Sequence, residues 1–258
     1  MVEMALYLIG LGLSDEKDIS LRGLELARKS DFIYLEGYTS KLSVEKERIE
    51  KLLAKKIIGA DRNLIEQKSG EILKKAEKND VAILVVGDPL SATTHIELIN
   101  SAEKNGIRTK IVHNASIINA IAITGLQLYK FGKTTSIPYQ SKSFKPHAPY
   151  DVLKENFSIN AHTLILLDID AGGKRFMSVN EGIKYLLEIE EERKEKVFTK
   201  STSCIGCSRI GSENAVIKFG TAEELLKEDF GEPLHCIVVP AKLHFVEEET
   251  LKKWKIRK

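Results

Sequence analysis

The sequence has few of the residues that would form a disulfide framework and no run that would form a membrane span. Only three cysteines, Cys204, Cys207 and Cys236, occur among 258 residues, an odd number in a chain without a recognisable export leader. No segment approaches the roughly 18 consecutive apolar residues that a membrane helix needs. We therefore expect a cytoplasmic protein with reduced cysteines and no membrane partner.

An excess of charge of one sign is also missing. Lys and Arg number 39 and Asp and Glu 37, so the formal net charge is only +2. Surfaces that bind nucleic acid usually carry a clear basic excess. The composition therefore predicts that the protein has no nucleic-acid partner.

Motifs for metal and phosphate binding are present only in part. Cys204-x-x-Cys207 has the spacing of half a zinc site, but no second Cys or His pair stands at a matching spacing. Gly125 and Gly132 precede a Lys-Thr pair, but six residues separate them where a phosphate-binding loop needs four. We predict no metal site and interpret the cysteines as reduced residues of the core or near the site.

The N-terminal part of the chain alternates short apolar runs with longer amphipathic segments. Apolar runs of four to six residues rich in Val and Ile are typical of buried parallel strands, and the segments between them have helical spacing. The predicted strands are 6–10, 32–35, 81–86 and 109–112. This alternation indicates a layered α/β domain at residues 1–116.

The pattern widens after residue 116. Strand-like runs occur at 163–167, 203–207, 215–219 and 235–239, with helices predicted at 178–195 and 221–228. Ser178 and Glu181 fit a capping box at the start of the first of these helices. The fold class predicted from the sequence is therefore α/β with two α/β domains, at residues 1–116 and 117–258.

The first predicted strand ends in a glycine-containing loop, with Gly10 and Gly12 where an α/β sheet brings its backbone close to a ligand. A dinucleotide fingerprint would need a third glycine at position 15. Asp15 stands there instead, and an acidic side chain disfavours a pyrophosphate. The loop is typical of a ligand site other than one for a nicotinamide cofactor, and a plain strand-to-loop turn stays open as the alternative.

Gly87-Asp88-Pro89 follows another predicted strand. Gly87 permits a close backbone approach, and Asp88 would place a carboxylate at the ligand-binding edge of the sheet. The alternative is that Asp88 only closes a turn on its own backbone. Thr93 or Thr94 is predicted to cap the helix that follows.

These two glycine motifs together resemble the tetrapyrrole methylase superfamily. Within it, five longer runs resemble the diphthine synthase family in its archaeal type, in family order and across nearly the whole chain. The runs are 9–19, 87–95, 123–132, 162–168 and 229–235.

The resemblance implies that S-adenosylmethionine binds between the two α/β domains. The cofactor contacts that it implies are Leu13, Asp88, Ser91, Ser116, Ile117, Leu167, Ile210 and His235. Family members act on translation elongation factor 2 in diphthamide biosynthesis, where they trimethylate the amino group of a 3-amino-3-carboxypropyl-histidine. The resemblance also implies a homodimer.

The sequence names no catalytic residue, because the cofactor supplies the electrophile and the protein mainly has to align the reacting atoms. One alternative is a methyltransferase of the same superfamily that acts on a corrin-type macrocycle or RNA. Another is a regulator that binds the ligand without catalysis.

Aromatic side chains near the irregular segment 136–149 suggest a way to hold a trimethylated product. A quaternary ammonium has no N–H to donate, so aromatic faces suit it better than a hydrogen-bond acceptor. We expect such faces from Tyr129, Phe131, Tyr139 or Phe144, with ordinary packing as the alternative.

Overall fold

The computed structural model describes residues 4–38, 40, 42–141, 145–170 and 175–256. The chain divides into two compact units. Unit 1 comprises Met1–Ile117 and Gly211–Glu213, and unit 2 comprises Ile118–Ile210 and Asn214–Lys258.

Unit 1 contains a parallel sheet with the strand order β3-β2-β4-β1-β5. Its strands are β1 (Ala5–Gly10), β2 (Phe32–Glu36), β3 (Ile58–Ala60), β4 (Val81–Val85) and β5 (Arg108–Val112). Its helices are α1 (Leu21–Lys29), α2 (Lys46–Leu53), α3 (Ser69–Ala76) and α4 (Ile96–Lys104), with a 3₁₀ turn at Glu16–Asp18 and a π turn at Asn63–Gln67.

Both faces of this sheet are buried, as a parallel sheet requires. Along β1, Leu6 and Leu8 belong to one apolar cluster and Tyr7 and Ile9 to another. Successive side chains of a strand point to opposite faces, so the continuous apolar run supplies both clusters at once. The result is a sheet packed on both faces, whose carboxyl edge carries the loops described below.

Unit 2 contains a mixed sheet with the strand order β6-β7-β10-β8-β9. Its strands are β6 (Thr135–Ile137), β7 (Thr163–Leu167), β8 (Ser203–Ser208), β9 (Val216–Thr221) and β10 (His235–Val239). Only β6 and β7 are parallel among these pairs. The remaining helices are α5 (Ile117–Ala120), α6 (Ala148–Ser158), α7 (Val179–Arg193), α8 (Ala222–Leu225) and α9 (Phe245–Leu251), with 3₁₀ turns at Ile121–Thr124, Leu128–Lys130 and Lys252–Trp254.

The α/β class and the eight strands predicted from the sequence are confirmed, within one or two residues at their ends. The capping box at Ser178 is confirmed as well. Two strands were missed, β3 and β6, because each is only three residues long and so shows no periodicity.

The predicted cap of α4 was wrong. The N-cap is His95, which makes no side-chain cap hydrogen bond. Thr93 Oγ1 instead donates to the Pro89 carbonyl at 2.6 Å and Thr94 Oγ1 to Glu66 at 3.1 Å. Thr93 therefore bonds to its own loop and Thr94 to the π turn, and neither caps the helix.

Within the described ranges, no helix is both long and apolar enough to cross a membrane.

Candidate functional site

Two loops meet closely at the carboxyl edge of the unit 1 sheet. Gly12 N donates to Gly87 O at 3.3 Å, and Gly87 N donates to Gly12 O at 2.7 Å. Both glycines have a positive φ, 78° and 81°, which a side chain would strain. The loops after β1 and β4 are therefore held together by residues that only glycine suits.

Residues from the other loops of this edge converge on Gly87. A Cβ built on this residue would have no atom nearer than 3.8 Å, and its neighbours would be Ala115 O, Leu13 Cδ2 and Ser116 Cα. Two of the predicted cofactor residues, Leu13 and Ser116, thus converge on the glycine of the Gly-Asp-Pro motif. Because these distances are ordinary van der Waals contacts, the space between Gly87 and these neighbours is about the size of one methyl group.

The amides of the glycine loop face a carboxylate of the protein itself. Leu13 N and Ser14 N donate to Asp18 Oδ2 at 3.1 and 2.8 Å. In a phosphate-binding loop, such amides point at the anion. Here Asp18 occupies that position, so the loop is poorly suited to a pyrophosphate.

Asp88 accepts four hydrogen bonds from the protein. Its Oδ1 accepts from Leu90 N at 2.9 Å and Ser91 Oγ at 3.2 Å. Its Oδ2 accepts from His113 Nδ1 at 2.7 Å and Asn114 N at 3.1 Å. A carboxylate offers about four acceptor positions, so Asp88 both closes its own turn and ties the end of β4 to the end of β5.

The electrostatics of Asp88 follow from these contacts. Burial raises the pKa of its carboxyl, but the donors Leu90, His113 and Asn114 outweigh burial and hold the pKa below its ordinary value. The carboxylate is therefore ionised at neutral pH and is a fixed negative charge at the sheet edge.

The sequence analysis missed Asn114, which joins the loop after β5 to the end of β1 and to the 3₁₀ turn at Glu16–Asp18. Its Nδ2 donates to Gly10 O and to Asp18 O, both at 2.9 Å, and its Oδ1 accepts from Ala115 N at 2.7 Å. The available signal was its position, two polar residues (His113 and Asn114) directly after a strand at the ligand-binding edge. Through Ala115, Asn114 sets the path of the backbone into Ser116.

The five predicted site residues of unit 1 therefore lie at one edge of one sheet, after β1, β4 and β5. They are Leu13, Asp88, Ser91, Ser116 and Ile117. Asp88 and Ser116 are buried.

The three predicted site residues of unit 2 likewise share an edge of the second sheet. Leu167 ends β7, His235 begins β10 and Ile210 follows β8. Because β10 runs antiparallel to both β7 and β8, the end of β7 and the end of β8 lie beside the start of β10.

His235 is the polar residue of this group. Its Nε2 lies 3.1 Å from Gly231 O, and its ring meets Phe230 edge-on at 6.5 Å. Burial lowers the pKa of His235, so the ring is neutral at physiological pH. Among the described residues, no group meets the buried Nδ1 atom at hydrogen-bonding geometry.

An open pocket of about 270 Å³ adjoins the segment that follows β7. Tyr139 N donates to Asp168 Oδ2 at 2.9 Å, and the Arg175 guanidinium lies 4.2 Å from the centre of the Tyr139 ring. Arg175 also pairs with Glu181 at 2.8 Å. The pocket is lined by Tyr139, Gln140, Arg175, Met177, Glu181, Lys184, Tyr185 and Glu188.

The aromatic residues that were expected to hold a cationic product differ in their exposure and in the groups that they contact. Tyr129 is 82% exposed, and Phe131 packs edge-on against His162 at 5.5 Å. Tyr139 already has a cation on its ring, and Phe144 lies outside the described residues.

The three cysteines are buried in the unit 2 sheet. Burial raises the pKa of Cys204 to about 12, and Cys207 lies opposite Cys236 in the pairing of β8 with β10. In the part of the chain that the structure describes, no three His, Cys, Asp or Glu side chains gather as a metal would need.

Comparison with known proteins shows which family has this sequence and architecture. The model of the tetrapyrrole (corrin/porphyrin) methylases matches residues 5–226. The chain is 46% identical to the diphthine methyl ester synthase of Dictyostelium discoideum, over 99% of this chain and 100% of that one. It is also 46% identical to the diphthine synthase of Methanocaldococcus jannaschii, over 96% and 97% of the two chains.

Solved structures agree with these similarities. A crystal structure of a diphthine synthase matches with a TM-score of 0.90 and 38% identity, over 97% of this chain and 96% of that one.

Proposed function

This chain belongs to the tetrapyrrole methylases and, within them, to the diphthine synthases, and we propose that it methylates a modified histidine of translation elongation factor 2. The methyl donor is S-adenosylmethionine. The acceptor is the amino group of a 3-amino-3-carboxypropyl-histidine, which receives three methyl groups in diphthamide biosynthesis. The full-length similarity to diphthine synthases carries this proposal.

The carboxyl edge of the unit 1 sheet supports the choice of cofactor. S-adenosylmethionine brings a sulfonium cation and no phosphate, so it suits a loop whose amides face Asp18 and whose neighbour Asp88 is ionised. Leu13 and Ser116 converge on Gly87 at this edge. We propose that the cofactor contacts are Leu13, Asp88, Ser91, Ser116 and Ile117 from unit 1 and Leu167, Ile210 and His235 from unit 2.

The protein's task in this reaction is to position the reactants. The cofactor supplies an activated methyl group, and the acceptor nitrogen has to approach it in line with the carbon–sulfur bond while water is kept out. Asp88 fixes the turn that carries Ser91 and the loop that carries Ser116, and thereby holds two segments of the proposed cofactor edge.

The number of methyl groups is the finer part of the proposal. The two relatives at 46% identity carry the names diphthine synthase and diphthine methyl ester synthase, so identity alone does not separate three transfers from four. We propose three transfers, all to the amine.

Mass spectrometry tests the function directly. The elongation factor that carries the aminocarboxypropyl group is incubated with this protein and S-adenosylmethionine, and the modified histidine peptide is weighed and fragmented. We expect three methyl groups on the amine, whereas a fourth on the carboxylate would correct the product. Cofactor binding without transfer would favour a regulator, and transfer to a corrin-type macrocycle or RNA instead would favour the alternative substrate.

We also propose that the protein is a cytoplasmic homodimer. Light scattering on the purified protein measures the oligomeric state, and fractionation of its native cells measures the location.

A further inference from the structure

Three buried polar atoms of unit 1 meet no partner at hydrogen-bonding geometry among the residues that the structure describes. They are Glu16 Oε2, His95 Nε2 and the Tyr38 hydroxyl. The Glu16 carboxylate is held by Arg48 through its other oxygen, at 2.6 Å. His95 is 1% exposed and Tyr38 is 7% exposed. Buried polar atoms are nearly always hydrogen-bonded, so His95 Nε2 and the Tyr38 hydroxyl, which follow the neighbouring strands β4 and β2, indicate that a polar partner is missing.

The hydrogen bond of His95 Nδ1 determines which ring nitrogen carries the proton. Nδ1 lies 2.9 Å from Pro89 O, and a carbonyl oxygen can only accept. Nδ1 therefore carries the proton in the neutral ring, and Nε2 presents an unshared electron pair. A base held in this way is ready to take a proton without reorienting.

Tyr38 belongs to the same part of the sheet. It stands two residues after β2, and β2 pairs directly with β4, which leads to Pro89 and His95. The hydroxyl of Thr94, the residue before His95, lies close enough to the Tyr38 hydroxyl to lower its pKa. Burial dominates and raises the pKa of Tyr38 overall, so the hydroxyl keeps its proton and is a donor.

Charged groups of both signs lie next to Tyr38 and Thr94, and Arg62 pairs with Glu66 at 3.8 Å. The Arg62 guanidinium lies 5.3 Å from the centre of the Tyr38 ring. Glu66 accepts from Thr94 at 3.1 Å, and the fully buried Glu36 accepts from Tyr38 N at 2.7 Å. The acceptor cluster, defined as Glu36, Tyr38, Arg62, Glu66, Thr94 and His95, thus combines a hydroxyl donor, a cation and the His95 ring beyond the ends of neighbouring strands.

A group that carries a carboxylate and an amine on one carbon matches this arrangement. We propose that the acceptor cluster binds the α-amino acid end of the methyl acceptor, with its carboxylate at the Tyr38 hydroxyl and Arg62 and its amine at His95 Nε2. This inference rests on the proposed function, whose substrate has such an end. It names His95 as the base for which the sequence offered no candidate.

The chemical step balances with His95 as the base. Nε2 takes one proton from the ammonium, and the freed electron pair on nitrogen attacks the methyl carbon of the sulfonium. The carbon–sulfur bond breaks, its electron pair stays on sulfur as a neutral thioether, and the nitrogen becomes positive again. Nε2 removes one further proton before the second transfer and one before the third, and it passes each proton to water. After the third transfer the nitrogen carries no proton.

The test uses two substitutions that leave the rest of the cluster in place. His95→Asn retains a donor for Pro89 O and removes Nε2, and Tyr38→Phe retains the ring beneath Arg62 and removes the hydroxyl. Tyr34→Phe is the matched tyrosine control, because its hydroxyl on β2 is paired with Lys75 at 2.7 Å. His244→Asn is the histidine control, since asparagine also caps the start of α9.

We expect both cluster variants to bind S-adenosylhomocysteine within about twofold of the parent, measured by calorimetry. On the modified elongation factor, His95→Asn should lower kcat at least about a hundredfold, the usual minimum for loss of a positioned base. Tyr38→Phe should raise KM about tenfold with a smaller change in kcat, as expected when binding rather than chemistry is lost. The two controls should keep both constants.

Unchanged kinetics in both variants would show that the two atoms hold a buried water only, and the inference would fail. Cofactor affinity that falls in step with the rate would assign the cluster to the cofactor and also overturn it. A parent protein that binds S-adenosylhomocysteine but transfers no methyl group would instead overturn the proposed function.

A second measurement does not depend on the variants folding. Nitrogen-15 NMR of the histidine rings reports which nitrogen carries the proton. We expect His95 to be protonated at Nδ1 and its Nε2 resonance to move when the modified factor is added. A proton on Nε2, or a resonance that ignores the factor, would contradict the inference.

Discussion

His162 and His95 are both buried, but they have different surroundings. In unit 2, His162 Nδ1 accepts from Ala241 N at 3.0 Å and Nε2 bonds Glu247 Oε1 at 3.1 Å. In unit 1, His95 Nδ1 lies 2.9 Å from Pro89 O, whereas its Nε2 meets no partner among the residues that the structure describes. A buried histidine with both nitrogens bonded stabilises the fold, whereas one with a free nitrogen in a charged cluster is a candidate for chemistry.

The His162 network shows what complete bonding achieves. Glu247 accepts from Gln127 N and His244 N at 3.0 and 2.7 Å, and also from Lys130 and His162. These contacts join α9 to the segment before β6 and to the start of β7. The comparison predicts that changes in this network alter stability, while changes in the acceptor cluster alter turnover.

The largest effect is expected for Glu247→Ala. It leaves Lys130 and three further donors without their acceptor in a buried position, a type of change that typically costs about 3–5 kcal/mol. The free energy of unfolding, from urea titration followed by circular dichroism, measures it. The exposed neighbour Glu248→Ala is the control, and a loss for Glu247→Ala no larger than the control's would refute the distinction.

Acid should weaken the same network. Burial raises the pKa of Glu247, but the donors Gln127, His244, Lys130 and His162 outweigh it and lower the pKa to about 2. Since the ordinary value is 4.5, the stabilisation is complete above pH 4.5 and is lost as the pH falls towards 2. At about 1.4 kcal/mol per pKa unit, this amounts to roughly 3 kcal/mol.

Unfolding measured across this pH range should therefore be steeper for the parent than for Glu247→Gln, which has no carboxyl to protonate. Parallel curves would show that Glu247 is not the group responsible.

Asp88→Ala should affect binding more than folding. All four acceptor positions of Asp88 are used, as they are in Glu247 of the His162 network. Unlike Glu247, Asp88 lies at the proposed cofactor site. Loss of charge-assisted hydrogen bonds that position the cofactor loops should reduce affinity about tenfold to a hundredfold, or about 1.5–3 kcal/mol. Calorimetry with S-adenosylhomocysteine measures it.

Asp31→Ala is the matched control for Asp88, because Asp31 accepts from Asp80 N just before β2, away from the carboxyl edge. Normal cofactor affinity in Asp88→Ala would mean that Asp88 only closes a turn.

Gly10→Ala tests the close approach of the two loops. An added Cβ would lie 2.6 Å from Gly87 O, whereas at Gly59, on β3 of the same sheet, it would meet no atom within 4 Å. Overpacking of this kind typically costs about 1–3 kcal/mol, and Gly59→Ala should cost far less. Thermal unfolding compares the two, and equal melting temperatures would contradict the close approach.

The sequence predicted the parts of this molecule that depend on local pattern. The apolar runs predicted the strands, and Ser178 and Glu181 predicted their capping box, because each signal lies within a few residues. The position of Asp88 after β4 could also be predicted from its neighbours.

Contacts between distant segments could not be predicted in this way. Tyr38, Arg62 and Thr94 come together only because β2, β3 and β4 are neighbours in the sheet. Glu247 meets His162 across 85 positions of sequence. No periodicity or spacing encodes such pairs. That no described residue bonds His95 Nε2 is likewise visible only from its spatial surroundings.

The smallest effect is expected for Tyr139→Leu. The ring was a candidate to hold the trimethylated amine, but the Arg175 guanidinium lies 4.2 Å from its centre and occupies one face. An exposed contact of this kind is worth about 0.5–1 kcal/mol, so the substitution should lower the free energy of unfolding by about that amount. Because Arg175 already uses the ring, the proportions of mono-, di- and trimethylated product should stay as in the parent. Mass spectrometry over time measures these proportions.

Tyr129→Leu, at an exposed ring of unit 2, is the control. Dimethylated product that accumulates only in Tyr139→Leu would restore Tyr139 as a contact of the cationic product.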